Sequence, residues 1–245
     1  MGPNTVKQRA KYGIDAPGMV RGLLGFGVVL ALVAIGSALW AKPGTLIATL
    51  APNEAVTAFF LLLSGSVMVW SSLFGKMRVR DRLVNALALT GGERVLDAGC
   101  GRGLALIGAA KKLTTGKAVG IDLWSAKDLS NNNPDATCAN AAAEGVADRV
   151  EVDTGDITKL PFPDASFDAI ISLTVIHNIP SRDGRDQALR ELARVLKPGG
   201  RMAIFDIQHP FRYMRVLRDA GLEVRNLGYS FIWFQPARSI FARKI

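Results

Sequence analysis

Chemically distinctive side chains are scarce in these 245 residues: two cysteines, Cys100 and Cys138, and two histidines, His177 and His209. Two thiols with neither a CxxC pair nor metal-type spacing exclude a disulfide framework and a zinc site, so no metal is expected. Charge is missing altogether from two long stretches, residues 22–41 and 55–75. Net charge is also missing from the middle of a chain whose total is +9. Residues 1–82 carry nine Lys/Arg against three Asp/Glu, residues 83–208 fourteen against sixteen, and residues 209–245 seven against two. A near-neutral centre argues against a nucleic-acid-binding domain, which needs a basic face. Basic ends suit a membrane surface.

The uncharged stretches set the first expectation. At 1.5 Å per residue, twenty helical residues span about 30 Å, the thickness of a hydrocarbon core. Trp40 and Trp70 fall near segment ends, where indoles favour the interface. Lys42-Pro43-Gly44 closes the first segment, and Pro52-Asn53 opens the second. A cleaved leader has a single, shorter apolar region, so two long ones fit it poorly. Lys7, Arg9, Lys11 and Arg21 precede the pair, and Lys76, Arg78, Arg80 and Arg82 follow it. The flanking charge predicts an integral membrane protein, in a cell's inner membrane, with both termini and the following domain cytoplasmic. The resulting plan is a basic segment over 1–21, a transmembrane hairpin over 22–75 and a catalytic domain over 76–245. Gly22, Gly25 and Gly27, with Ser64, Gly65 and Ser66, allow close helix approach, either within the hairpin or between copies in a homo-oligomer.

Beyond residue 82 the pattern alternates. Strands are expected at Arg94–Ala98, Ala118–Asp122, Val150–Thr154, Phe167–Leu173 and Arg201–Asp206. Helices are expected at Leu104–Leu113, Ala136–Glu144, Arg182–Leu196 and Phe211–Ala220. Two final strands lie near Glu223–Tyr229 and Ser239–Lys244. This is an α/β pattern, a doubly wound, mostly parallel, seven-stranded sheet whose ligands bind at the carboxyl ends of the strands.

The first of these strands runs into Asp97-Ala98-Gly99-Cys100-Gly101-Arg102-Gly103, a turn that brings ligand close to backbone. A dinucleotide fingerprint needs Gly or Ala three residues after Gly101, and Leu104 stands there. The GxGxG pattern with its leading Asp97 resembles motif I of the class I S-adenosylmethionine (SAM)-dependent methyltransferases. Asp122, Gly155-Asp156-Ile157, LPFPDASFD over 160–168 and Leu196-to-Arg201 follow in that family's order. The texture is similar to the branch of quinone, sterol and arsenite methyltransferases; the arsenite type uses several cysteines, which this chain lacks. The resemblance implies SAM as cofactor. It implies a binding set of Asp97, Gly99, Cys100 and Gly101, with Asp122 and Leu123 at the ribose, Asp156 and Ile157 at the adenine, and Ser172 and Leu173 at the end of the fourth strand. Cys100 reads as a small filler rather than a nucleophile.

Both histidines follow strands, at the predicted ligand edge, and both are candidate general bases or substrate orienters. Each also has a structural reading: His177 packing near the cofactor, His209 capping a helix. The acceptor is expected to be a small molecule or a lipid, with a quinone precursor or a lipid amine favoured. A diffusible thiol and a non-catalytic SAM-binding scaffold are the alternatives. Arg212, Arg215 and Arg218, with Phe231, Trp233, Phe234 and Phe241 downstream, read equally as a membrane-facing surface or as an ordinary helix face with core aromatics.

Overall fold

The computed structural model describes residues 10–125, 129–232 and 236–245. Lys7, Arg9, Trp233 and Phe234, singled out above, lie outside the described residues.

The chain opens with a helical hairpin. Helix α1 (Pro17–Trp40) is antiparallel to α2 (Leu46–Trp70). Helix α2 starts nine residues before the charge-free stretch because Thr45 caps it, its hydroxyl accepting from the Ala48 N–H. Pro52 lies inside the helix rather than at its start; it forfeits one backbone hydrogen bond, near an exposed end. A π-helical turn (Ser71–Gly75) then leads without a break into α3 (Lys76–Ala86). The hairpin's second helix thus passes straight into the domain expected to begin at residue 76. Two of the small residues serve packing within the hairpin. A Cβ on Gly27 would lie 2.9 Å from Leu62, and one on Gly65 would lie 2.6 Å from Leu24; Gly22 and Gly25 face open space. Both helices are long and apolar enough to cross a membrane, and their outer faces are uncovered, Leu32 being 64% and Trp40 80% exposed.

The remainder is one sheet. Its strands are β1 (Arg94–Ala98), β2 (Lys117–Asp122), β3 (Val150–Thr154), β4 (Phe167–Leu173), β5 (Leu196–Asp206), β6 (Leu222–Ser230) and β7 (Ala237–Lys244). They lie in the order β3-β2-β1-β4-β5-β7-β6. The first five are mutually parallel, whereas β7 is antiparallel to both neighbours, so the sheet is mixed. Strand β5 begins at Leu196, which pairs with Phe167, so Pro198-Gly199-Gly200 stops the preceding helix without delaying the strand.

Helices α3 and α4 (Leu104–Ala110) cover one face, and α6 (Arg182–Val195) and α7 (Pro210–Asp219) the other; α5 (Pro134–Ala143) follows β2. Alternation along β1 sends Val95 into the α3–α4 layer and Leu96 into the α6–α7 layer. Both faces are buried, which is why the inner strands read as nearly continuous apolar runs. Of the α7 arginines, Arg215 and Arg218 are exposed, whereas Arg212 is engaged. Arg212 makes a two-pronged ion pair with Asp186 of α6, and Arg215 lies 4.0 Å from Asp219.

Candidate active site

The order of strands changes direction between β1 and β4, and the crevice above that point is where ligands bind in such sheets. The chain turns there through Gly99, Gly101 and Gly103, at φ of 79°, 50° and 82°. The Gly99 and Cys100 N–H groups donate to the Ile121 carbonyl at 2.8 and 3.1 Å, which ties the turn to β2. Only glycine fits at 99: a Cβ there would lie 2.3 Å from Val175 Cγ1.

Asp97, Asp122 and Asp156 border one cavity of about 750 Å³, together with Gly99, Cys100, Gly101, Leu123, Ile157 and Leu173. Asp97 is 1% exposed. Its Oδ2 accepts from the Leu106 N–H at 2.6 Å, and its Oδ1 has no partner among the described residues. Burial pushes its carboxyl up to about 7. Asp122 accepts from the Gly101 N–H at 2.8 Å on one oxygen, and from the Trp124 N–H at 2.6 Å on the other. It therefore fastens the glycine turn as well as facing the cavity. Asp156 accepts from the Thr158 N–H, beside the buried Ile157. The Cys100 thiol is buried, and burial raises it well above its usual range; its Sγ lies where a Cβ on Gly120 would be 2.7 Å away. It fills space and is poorly suited to attack.

His177 borders the same cavity, and His209 does not. His177 follows β4 in a short 3₁₀ turn. Its Nδ1 sits 2.6 Å from Asp206 Oδ1 at the end of β5, a contact off the line of a straight hydrogen bond. Asp206 is 1% exposed and is held by backbone: its oxygens accept from the His177 N–H at 3.1 Å and the Ile207 N–H at 2.7 Å. His209 is exposed at the start of α7, in the left-handed region at φ 55°, its ring edge-on to Tyr213. Ser172 is also placed elsewhere. It is buried, its hydroxyl donating to the Ala98 carbonyl at 3.0 Å, so it joins β4 to β1 and does not border the cavity.

The sequence carries little insertion for a substrate cap, so residues 1–20, residues 124–135 or a bilayer are the expected closures of the pocket. Residues 10–16 form a strap beside the glycine turn, and Tyr12, Asp15 and Ala16 border the cavity from it. Met19, Met68, Ser71, Ser72 and Lys76 continue the wall from the hairpin base and α3. Lys76, 3% exposed, donates from Nζ to the Tyr12 and Gly13 carbonyls at 3.0 and 2.6 Å, 3.6 Å from Asp15 Oδ1. One sequence signal was available: Asp15 is the only acid before Glu54.

The residues fit SAM on their own chemistry. An unpartnered buried carboxylate oxygen suits its cationic amine, the glycines leave room, and Asp122 has lone pairs for ribose hydroxyls.

Residues 96–204 match a family profile described as "Methyltransferase domain". The chain is 37% identical over 149 residues to a 27-O-demethylrifamycin SV methyltransferase of Amycolatopsis mediterranei, covering 60% of this chain and 48% of that one. It is 33% identical over 126 residues to a demethylmenaquinone methyltransferase of Symbiobacterium thermophilum, covering 51% and 47%. It thus spans just under half the length of each. A SAM-dependent methyltransferase structure from Aquifex aeolicus superposes with a TM-score of 0.54 at 24% identity, covering 68% of this chain and 89% of that one. That likeness speaks for the fold. Residues 96–204 are therefore a methyltransferase domain, on the fold of the SAM-dependent enzymes.

Proposed function

We propose that the protein is a membrane-anchored methyltransferase that moves the SAM methyl to a small or membrane-resident acceptor, a quinone precursor or lipid amine being favoured. The observation that carries this reading is the meeting, on one cavity, of the glycine turn, the half-paired Asp97 and the His177–Asp206 pair. When bound, SAM supplies a methyl on a cationic sulfonium. Asp97 Oδ1 holds the amine, Asp122 the ribose, and Asp156 with Ile157 the adenine. His177 takes the acceptor's proton. Asp206 orients its ring and stabilises the charge that results. The exposed apolar faces of α1 and α2 support the anchor, and the Lys/Arg flanks support cytoplasmic ends. Relatives named for demethylrifamycin and demethylmenaquinone support a small acceptor, the second a quinone.

The test is tritiated SAM incubated with the full chain in a total membrane lipid extract. Label in a lipid-soluble product is expected. Label confined to water-soluble or volatile product removes the membrane acceptor, and failure of calorimetry to detect SAM binding removes the enzyme.

A further inference from the structure

The hairpin side of the cavity changes character along two edges at once. Met68, Ser72 and Lys76 recur about one turn apart on the continuous rod from α2 through the π turn to α3. At 1.5 Å per residue, Met68 lies roughly 6 Å further toward the hairpin than Ser72, and roughly 12 Å further than Lys76. The opposite edge runs from Asp15 through Ala16 to Met19, the last in the first turn of α1. Both edges therefore pass from charged to thioether in the same direction. Above them the helices shut: Gly65 packs on Leu24, and Gly27 on Leu62. Below that seam, Met19 and Met68 frame the cavity.

The strap covers the other side and is tied at several places. Lys11 and Asn140 exchange two hydrogen bonds, at 2.8 and 3.1 Å. The Ile14 N–H donates to Ser130 Oγ at 3.2 Å. The Asp15 N–H donates to Ser72 Oγ, which donates back to Asp15 Oδ2. Lys76 holds the Tyr12 and Gly13 carbonyls. A strap so fastened disfavours entry past the glycine turn. Beyond the contacts of Asp15 with Ser72 and Lys76, no hydrogen bond among the described residues ties the two edges together at Met19, which is 52% exposed.

We propose that the acceptor enters sideways from the bilayer, between Met19 and Met68. It is a membrane amphiphile, polar end first. The tail lies against the two thioethers, whose flexibility suits an apolar chain of variable shape. The polar end passes Ser72 and Asp15 to reach His177. This rests on the membrane-anchored methyltransferase reading and adds the route and the substrate class.

The test places the full chain in lipid nanodiscs with a long-chain fatty alcohol carrying an alkyl diazirine. After irradiation, adducts are mapped by mass spectrometry. Met68 is 6% exposed and Phe59 and Phe60 are 60% and 59% exposed, so bilayer contact alone labels the phenylalanines and not Met68. Expected are adducts on Phe59, Phe60, Met68 and Ile179, which borders the cavity near His177. In Met19→Trp, which fills the mouth at a half-exposed position, the Met68 yield falls about tenfold, equivalent to about 1.4 kcal/mol. Labelled phenylalanines with a clean Met68 overturn the portal and leave the anchor standing. Unlabelled phenylalanines overturn the anchor and the portal together. Calorimetry with SAM on the same preparation reads the cofactor assignment separately: a chain that labels at Met68 yet does not bind SAM keeps the portal and loses the methyltransferase.

Discussion

Gly99→Ala isolates what the glycine turn requires. The residue sits at φ 79°, where a Cβ costs about 1–2 kcal/mol. The new Cβ would also lie 2.3, 2.4 and 2.8 Å from Cγ1, Cγ2 and Cβ of Val175. Because even the Val175 Cβ is too near, no rotamer of that side chain escapes, and backbone must shift. Overpacking of this kind costs about 1–3 kcal/mol, so the total is about 2–5 kcal/mol. The assay is a double-mutant cycle with Val175→Ala, read by thermal unfolding of the full chain in detergent and by calorimetric SAM titration. Removing the two γ-carbons relieves the shortest contacts, so the double variant regains part of the steric loss while the backbone penalty stays. SAM affinity falls in Gly99→Ala, since Gly99 and Val175 both border the cavity. A single variant within about 0.5 kcal/mol of wild type refutes the reasoning, as does a cycle with no coupling.

Asp97 makes SAM binding depend on pH. Its folded carboxyl is raised from 3.8 to about 7, so between those values the folded chain binds more protons than the unfolded. Stability of the unliganded chain therefore falls as pH rises through that window, a slope that Asp97→Asn flattens in a pH series of melting curves. A cationic amine beside Oδ1 reverses the preference, so SAM binding at pH 6 releases a proton; calorimetry in two buffers of different ionisation enthalpy reads it, and Asp97→Asn abolishes it. His177→Ala lowers turnover by about 10²–10⁴ at saturating SAM with SAM affinity kept, whereas His209→Ala leaves turnover unchanged; equal rates in wild type and His177→Ala remove the base. Asp206→Asn shifts the pH–rate profile, a readout that packing alone does not move. Lys76→Met leaves the Tyr12 and Gly13 carbonyls unpaired, a loss of about 1–3 kcal/mol, seen as faster hydrogen exchange over residues 10–16 and faster SAM release.

Periodicity and turn chemistry are properties of neighbouring residues, and what depends on them was legible in the sequence. Strands β1, β3 and β4 occupy the expected residues, because apolar runs bounded by turns define them. The glycine turn and the acid ending β2 lie at the expected edge, since the chain direction of a parallel sheet puts every βα turn on one side. Other features required the third dimension. Whether Ser172 faced cofactor or neighbour depended on which way its strand was rotated against β1, and its hydroxyl went to Ala98. His177 and His209 looked alike as residues following strands; Asp206, 29 residues from His177, set them apart. The small residues of the hairpin could serve either of two interfaces until Leu24 and Leu62 were found against Gly65 and Gly27. That residues 1–20 could close the pocket was one of three expectations, but the contacts that fasten the strap were not legible. Asp15 and Ser72 are 57 residues apart, and Lys76 and Gly13 are 63, so no local pattern encodes their meeting. The sequence alone thus determined a methyltransferase-type sheet and two helices long enough for a bilayer. Only folding placed the base of those helices in the wall of the cavity, because that contact is made by side chains that share no segment of the chain.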